Sequence, residues 1–200
     1  MCKTLASDPH NLPTVVLSID DLYLPHDKQQ KLAQTHPNNP LVQHRGQPST
    51  HDIELGTSLF SALRRRASNI RIPSYDKSAF SGQGDRRDAA DWQVVNNNPT
   101  EPKIEVVIFE GWCVGFRPLS EDSLKDKWNH ARSESRRPDR TYDGQLGMLD
   151  FDSVHFVNDA LKHYDELTEF VASPTRDLVC ALTCHSQLDA FMHMQVPVAT

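Results

Sequence analysis

Short apolar runs alternate with amphipathic stretches along the chain, and this alternation predicts an α/β fold. Residues 14–18 (TVVLS) and 104–109 (IEVVIF) are apolar nearly throughout, as is typical of strands buried in a parallel sheet. Residues 26–34 have helix-forming composition, and residues 52–66 and 154–170 repeat apolar side chains near helical spacing. Thr50 or Asp52 is a predicted cap for the second of these helices, and Asp152 or Ser153 for the third. The sequence therefore predicts one domain over residues 1–200, a three-layer fold with helices packed on a parallel sheet.

Less periodic segments connect these elements. Residues 36–48 contain Pro and Asn and predict a long loop that covers a substrate site, whereas residues 171–187 show no clear amphipathic register. The sequence also predicts strands at 70–75 and 189–194 and a helix at 120–129. It predicts a loop at 78–88 and an exposed charged segment at 132–142.

Charge and hydropathy narrow the class of partner. The 27 acidic residues outnumber the 21 Lys and Arg residues, and the basic residues at 64–66 and 132–140 form short runs rather than a continuous stripe, so we expect no nucleic-acid partner. No window approaches the roughly 20 apolar residues that a membrane helix requires, and the first residues lack a signal-peptide pattern. We expect a soluble, cytoplasmic protein that acts on a small molecule.

The cysteines predict free thiols rather than a disulfide framework. The chain has 4 cysteines, at Cys2, Cys113, Cys180 and Cys184, which is sparse for 200 residues. Cys180, Cys184 and His185 could begin a metal site, but no second ligand group lies at a suitable spacing. Scattered loop cysteines are the favoured interpretation.

Polar side chains follow the predicted strands at the points where the strands end. Because ligands of open parallel sheets bind beyond the carboxyl ends of the strands, these residues are placed for chemistry. An acid at the end of the strand at 104–109 can hold Mg²⁺ or a water bound to it. Helix-capping and exposed loop carboxylates are the alternatives that spacing leaves open. The residues concerned are Asp20, Asp21, Tyr23, Tyr75, Asp76, Lys77 and Glu110.

Four local patterns occur together and in order, and their combination resembles a known family. They are SIDDLYLP at 18–25, GQPSTHD at 46–52, YDKSAFSGQGDR at 75–86 and VVIFEGWCVGF at 106–116. Each alone is weak, but their order makes the set specific. The chain resembles the P-loop kinases related to D-glycerate 3-kinase, within the wider uridine kinase, pantothenate kinase and phosphoribulokinase group. The resemblance spans residues 11–170 and resumes at 188–195, leaving 171–187 as an atypical insertion.

The resemblance implies roles for individual residues in ATP-dependent phosphorylation of a substrate such as glycerate. Asp20 matches the acid that orients or deprotonates the attacking hydroxyl, and Glu110 resembles the acid that supports Mg²⁺. Asp52 matches an acceptor of substrate hydroxyl hydrogen bonds. Asp21, Tyr23, Tyr75 and Asp76 fall where substrate contacts are expected, and Lys77 or Arg86 would neutralise a carboxylate or phosphate. For Asn158 and Tyr164 a structural role is favoured.

Two departures from the family pattern bear on activity. No G-x-x-x-x-G-K-S/T occurs, and Gly46 is the first glycine in the chain, so the phosphate-binding loop and the strand before it are expected to be missing. Residues 171–187 interrupt the family pattern, as a retained intron or a variable loop would, and family-like C-terminal residues are absent. We therefore expect a fold incomplete at both ends. The alternative function is a non-catalytic substrate-binding or regulatory remnant, or a fragment of a gene.

Overall fold

The computed structural model describes residues 2–137, 144–167 and 178–182. The helices are α1 (Cys2–Ala6), α2 (His26–Thr35), α3 (Ile53–Arg64), α4 (Glu121–Ser135) and α5 (Phe151–Ala160). The strands are β1 (Thr14–Ser18), β2 (Ile70–Ile72), β3 (Tyr75–Asp76), β4 (Asp85–Arg86), β5 (Gln93–Val95), β6 (Val106–Glu110) and β7 (Leu178–Leu182). Short 3₁₀ turns lie at Ile19–Leu22, Pro40–Val42, Phe80–Gly82, Ala89–Asp91, Leu146–Met148 and Leu161–Tyr164.

A parallel sheet in the order β1-β6-β7 forms the centre of the described part of the chain. β1 and β6 pair in register from Thr14 opposite Val106 to Ser18 opposite Glu110. β6 is the middle strand, and its four apolar residues from Val106 to Phe109 are all buried, as expected for a strand covered on both faces. The α/β fold with a parallel sheet is confirmed, and both strands predicted from apolar runs are present.

The prediction of one strand at 70–75 is wrong, because the chain forms two separate strands there and neither joins the parallel sheet. β2 pairs antiparallel with β5, and β3 pairs antiparallel with β4, so neither lies in the parallel sheet. Pro73 separates β2 from β3, and a proline has no N–H to donate to a sheet ladder. β4 lies inside the segment predicted to be a loop, and β5 was not predicted.

Helix α3 packs on the sheet through the apolar stripe that its sequence predicts. Leu59, Phe60 and Leu63 are buried, and the ring of Phe60 meets that of Phe109 edge to face at 4.9 Å. The predicted capping role of Asp52 is also confirmed, because its Oδ1 accepts the Leu55 N–H at 3.1 Å.

The helix predicted at 154–170 begins earlier and is interrupted. Asp150 caps α5 by accepting the Ser153 N–H at 2.8 Å, so the predicted caps, Asp152 and Ser153, lie inside the first turn. The chain then tightens into the 3₁₀ turn Leu161–Tyr164. The predicted apolar face is nevertheless confirmed, because Val154, Val157, Leu161, Tyr164 and Leu167 are all buried.

Several predictions concern residues outside the part of the chain that the structure describes. The strand predicted at 189–194, residues Cys184 and His185, and part of the charged segment at 132–142 are outside. Within 171–187, β7 forms a strand that the sequence pattern did not predict. In the described ranges no helix is long and apolar enough to cross a membrane.

Candidate functional site

The carboxyl ends of β1 and β6 bring three acidic residues to one edge of the sheet. Asp20 and Asp21 lie in the 3₁₀ turn directly after β1, and Glu110 is the last residue of β6, opposite Ser18. Gly111 follows with φ +151°, and a Cβ built there would lie 2.2 Å from Cγ2 of Ile19. Glycine at this position therefore allows the two strand ends to approach closely.

Asp20 forms an ion pair with the predicted substrate-binding lysine. Lys77 Nζ lies 2.6 Å from Asp20 Oδ2, and the Tyr23 phenol lies close enough to feel the charge of Asp20. The lysine side chain is 59% exposed, so the pair contributes little to stability, about 0–1 kcal/mol. Burial, and then the Asp20 charge, raise the pKa of Tyr23 well above its usual value, so this phenol stays protonated.

Asp21 is held between the sheet edge and β3. Its Oδ1 accepts the backbone N–H of Tyr75 at 3.0 Å. Burial raises the pKa of Asp21, the Tyr75 N–H opposes this, and the charges of Asp20 and Glu110 raise the pKa further. The carboxylates are thus close enough to influence one another.

Asp52 and Arg86 form a second, less exposed group. Arg86 Nη1 lies 3.0 Å from Asp52 Oδ2, and Arg86 Nη2 donates to the Tyr23 carbonyl at 2.8 Å. The two side chains are only 13% and 17% exposed. Arg86 therefore ties β4 to the start of α3 and to the segment after β1.

Asp76 bonds within the turn that follows β3. Its Oδ1 accepts the Ser78 N–H at 2.9 Å and the Ser78 hydroxyl at 2.6 Å, which lowers the pKa of Asp76. Arg87 lies 3.7 Å from its other oxygen. Among the predicted site residues, Asp76 has the clearest local structural role.

A cavity of about 650 Å³ opens beside Asp52, between α2, the start of α3 and α5. Its walls combine apolar side chains such as Leu24 and Phe156 with charged ones such as Lys28 and Glu54. This volume falls within the range of small-molecule sites. Within the described residues, no group of three or more His, Cys, Asp or Glu side chains could hold a metal ion.

Comparison with known proteins identifies relatives, although no family model matches the chain. "Uncharacterized kinase mug58" of Schizosaccharomyces pombe is 46% identical over 115 residues, which cover 57% of this chain and 40% of that protein. "Probable ATP-dependent kinase TDA10" of Saccharomyces cerevisiae is 38% identical over 111 residues, 51% of this chain and 34% of that protein. A solved D-glycerate 3-kinase from Cryptococcus neoformans var. grubii aligns with a TM-score of 0.72 and 34% identity, over 84% of this chain and 55% of that one.

This chain is related to these kinases. The predicted resemblance to P-loop kinases of the D-glycerate 3-kinase type is therefore confirmed, and with it the fold class. The chain spans less than half the length of the curated relatives described above and about half of the solved one.

Two residues near the site were missed by the sequence analysis. His51 is buried, its ring stacks on Tyr23 at 4.5 Å, and its Nδ1 lies 2.6 Å from the Tyr164 hydroxyl. Arg45 donates hydrogen bonds to the carbonyls of Gly82 and Gln83 and so holds the loop after β3 in place. His51 lies inside the GQPSTHD pattern, where only Asp52 was singled out, whereas no pattern marked Arg45.

The structural role favoured for Asn158 agrees with its contacts. Its Oδ1 accepts the Leu119 N–H at 2.9 Å, and its Nδ2 donates to the Leu119 carbonyl at the same distance. Tyr164, by contrast, lines the cavity as well as packing in the core.

Proposed function

We propose that this chain belongs to an ATP-dependent kinase that phosphorylates a hydroxyl group of a small polar molecule such as glycerate. The observation that carries the proposal is the parallel register of β1 and β6, which sets Asp20, Asp21 and Glu110 at one sheet edge beside Lys77. Kinases are named among the relatives, and one solved relative is a D-glycerate 3-kinase. A cytoplasmic location is part of the same proposal.

Asp20 is proposed to accept the proton of the attacking hydroxyl. The substrate oxygen then forms a bond to the γ-phosphorus while the bond from that phosphorus to ADP breaks. Such a base needs mainly position and charge, because phosphoryl transfer depends on alignment and electrostatic stabilisation. Lys77, paired with Asp20, supplies a positive charge next to the transferred group or a substrate carboxylate.

Glu110 is the residue proposed to hold Mg²⁺. It is partly exposed and has no hydrogen-bond or ion-pair partner among the described residues, so its oxygens are available to a hard cation. Mg²⁺ commonly uses one or two protein carboxylates together with water and phosphate oxygens, which a single strand-end acid can satisfy. When bound, the ion would neutralise charge on the ATP phosphates.

The remaining predicted residues are proposed to line the acceptor side. Asp52 can accept a substrate hydroxyl while it holds Arg86 and the Leu55 N–H, because each carboxylate oxygen offers two acceptor positions. Tyr23 and Tyr75, whose rings meet edge to face at 5.4 Å, lie beside this group, because Arg86 donates to the Tyr23 carbonyl and is paired with Tyr75 between β4 and β3. Asp76 is proposed to contact substrate only from the rim.

A second candidate is a protein that binds the substrate without turning it over. It is favoured by the absence of G-x-x-x-x-G-K-S/T from the 200 residues. That loop supplies backbone N–H groups and a lysine that hold the ATP phosphates in P-loop enzymes.

A direct assay tests both candidates. The purified chain is incubated at high concentration with D-glycerate, ATP and Mg²⁺, and phosphate ester is followed by ³¹P NMR while glycerate binding is measured by calorimetry. We expect glycerate binding and slow product formation that Asp20→Asn lowers by about 10²-fold or more. Asp126→Asn, an exposed change on α4, is the control.

Binding without product in the unaltered chain would favour the second candidate. Product formation that Asp20→Asn leaves intact would remove Asp20 as the base. If the chain neither bound glycerate nor formed product, both proposals would be contradicted.

A further inference from the structure

The turn that joins β3 to β4 carries Lys77 and has an unfavourable backbone conformation. Phe80 and Ser81 have φ values of 49° and 56°, and Gly82 has a φ of 91°. Left-handed φ values are uncommon for residues other than glycine, and they persist where the surrounding structure holds them. The ladder between β3 and β4 contains only two residue pairs, so it gives the turn a short base. Contacts from outside this hairpin are therefore needed to hold the turn.

Arg45 makes such contacts at both ends of the turn. Its Nη2 donates to the Lys77 carbonyl at 3.4 Å, and its Nη1 donates to the carbonyls of Gly82, at 2.8 Å, and Gln83. Its guanidinium carbon lies 5.6 Å from the centre of the Tyr75 ring. A guanidinium presents its N–H groups in a planar, fixed fork, so this one side chain can bond to both ends of the turn.

Gly84 leaves the space that the guanidinium occupies. A Cβ built at Gly84 would lie 2.8 Å from Nη1 of Arg45 and 2.5 Å from Cε1 of Tyr75. The φ of Gly84 is +82°, which a residue with a Cβ rarely adopts. A larger residue here would displace the guanidinium or the ring, so the close approach of Arg45 to the turn requires glycine.

The backbone beside Arg45 is fastened to the strand end that carries Glu110. Gly46 donates its N–H to Thr50 Oγ1 at 3.0 Å, and its carbonyl accepts the indole N–H of Trp112 at 3.0 Å. Trp112 lies two residues after Glu110, the last residue of β6. The side chain of Arg45 therefore connects the turn after β3 to a segment that is already fixed at the sheet edge.

The ion pair between Lys77 and Asp20 is too exposed to order the turn by itself. The lysine side chain is 59% exposed and the aspartate side chain 29%, and water and the entropy of the long lysine side chain both weaken such pairs. Arg45 instead makes three bonds from one planar group to backbone carbonyls. These bonds fix the part of the chain from which the lysine side chain extends.

We propose that Arg45 is a positioning residue, which holds the turn after β3 in the conformation that places the Lys77 ammonium beside Asp20. This inference rests on the proposed function, since it names the residue that orders one half of the pair assigned to phosphoryl transfer. Arg45 acts through the backbone of the turn and does not touch the reacting atoms. Without its guanidinium the turn samples other conformations, and the ammonium spends less time at Asp20.

Zero-length cross-linking measures this pairing without substrate or activity. A water-soluble carbodiimide joins a lysine amine to a carboxylate as an amide where the two groups are in contact, and peptide mass spectrometry quantifies each product. In the full 200-residue chain, the pair of Lys162 and Asp159 lies outside the hairpin and is the internal reference. We expect Arg45→Gln to lower the yield of the cross-link between Lys77 and Asp20, relative to the reference, by about 3-fold or more, because three hydrogen bonds to the turn are lost.

Two further variants separate geometry from charge. Arg87→Gln removes an equal charge from an exposed residue next to β4 that pairs with Asp76, and it should leave the yield unchanged. Arg45→Lys keeps the charge but loses the planar fork, so the yield should stay low. A yield restored by lysine, a comparable decrease in Arg87→Gln, or no decrease in Arg45→Gln would overturn the proposal. So would the absence of this cross-link from the unaltered chain, a result that needs no variant.

The cross-link and the kinase assay can fail separately. A cross-link that depends on Arg45, in a chain that transfers no phosphoryl group, would support this inference and remove the kinase. Phosphoryl transfer by a chain whose cross-link is the same in Arg45→Gln would overturn this inference and leave the proposed kinase activity standing.

Discussion

Neighbouring side chains set the chemical state of the residues that matter most here. Asp20 meets a lysine and a phenol, whereas His51 meets two tyrosine rings and no charge in direct contact. Burial lowers the pKa of His51 to about 3, although the more distant Asp20 charge opposes this. Asp20 is thus paired with a positive charge, whereas the buried His51 stays neutral.

The buried His51 predicts acid destabilisation. Its pKa is lowered from 6.5 to about 3 in the folded chain, so below pH 6.5 the unfolded chain binds a proton that the folded chain does not. The free energy of unfolding is therefore expected to fall by up to about 1.4 kcal/mol per pH unit as the pH drops from near 6.5 toward 3.

Urea titrations between pH 4 and pH 7 on the unaltered chain and on His51→Phe measure this effect. The raised pKa of Asp21 acts in the opposite direction, favouring the folded state in acid, but both proteins share it. The difference between the two free energies should grow in favour of His51→Phe as pH falls. Parallel pH profiles would show that His51 is not buried as a neutral ring.

At the scale of elements, the site depends on how closely two strand ends and one loop are held. Gly111 lets the end of β6 pass Ile19, and Asn158 fastens α5 to the segment before α4. Neither residue needs to touch a substrate. Substitutions of these two residues should therefore lower the free energy of unfolding before they change substrate binding.

Gly111→Ala is expected to destabilise the fold by about 2–4 kcal/mol. The added Cβ would lie 2.2 Å from Ile19 Cγ2, and φ +151° is unfavourable for alanine, so packing and backbone strain add. Gly115→Ala is the matched control, because its φ is +83° but nothing lies within 4 Å of its Cβ, which leaves about 1 kcal/mol of strain. Urea denaturation measures the free energy of unfolding of both variants. Equal decreases for Gly111→Ala and Gly115→Ala would show that the contact with Ile19 is not close.

Asn158→Ala is expected to cost about 2–4 kcal/mol in the free energy of unfolding. Asn158 is 3% exposed, and its loss would leave both the N–H and the carbonyl of Leu119 without their partner. Asn129→Ala, at an exposed position of α4, should change stability by less than about 0.5 kcal/mol. A stable Asn158→Ala protein that lost glycerate binding would indicate a direct contact with substrate instead.

At the scale of the whole molecule, the described part of the chain provides acidic groups at the sheet edge and a cavity of small-molecule size, whereas the sequence offers no Walker A loop for nucleotide phosphates. The cavity has about 650 Å³ and three acids stand at the sheet edge. The sequence has no glycine-rich phosphate loop of the Walker A form.

Mg-ATP is expected to stabilise this chain only weakly. Without a cradle of backbone N–H groups the nucleotide affinity should be low, so the gain at millimolar nucleotide should stay below about 1 kcal/mol. That corresponds to a rise in Tm of less than about 2–4 °C for a chain of this size. D-Glycerate serves as the comparison ligand in the same thermal-shift titration. A larger shift with Mg-ATP would mean that the chain binds phosphates by another route.

Much of the framework was predictable because it depends on local pattern. The apolar run around Val107 is a buried strand, and the stripe through Leu59 and Leu63 is the inner face of α3. The run around Val15 is also a strand, but it is buried on one face only, because Val16 is 46% exposed. Boundaries were less predictable. Asp150, Asp152 and Ser153 are all good caps by type, and only the path of the chain selects Asp150.

The sequence by itself determined the parallel strands β1 and β6, the main helix faces, the acids that follow these two strands and the resemblance to kinases, because these depend on residues close together along the chain. Only the tertiary structure decided which side chains meet. Lys77 joins Asp20 across 57 positions and Tyr164 joins His51 across 113. Such contacts leave no periodic trace in the sequence, because they arise when separate elements pack against one another and exclude water between them.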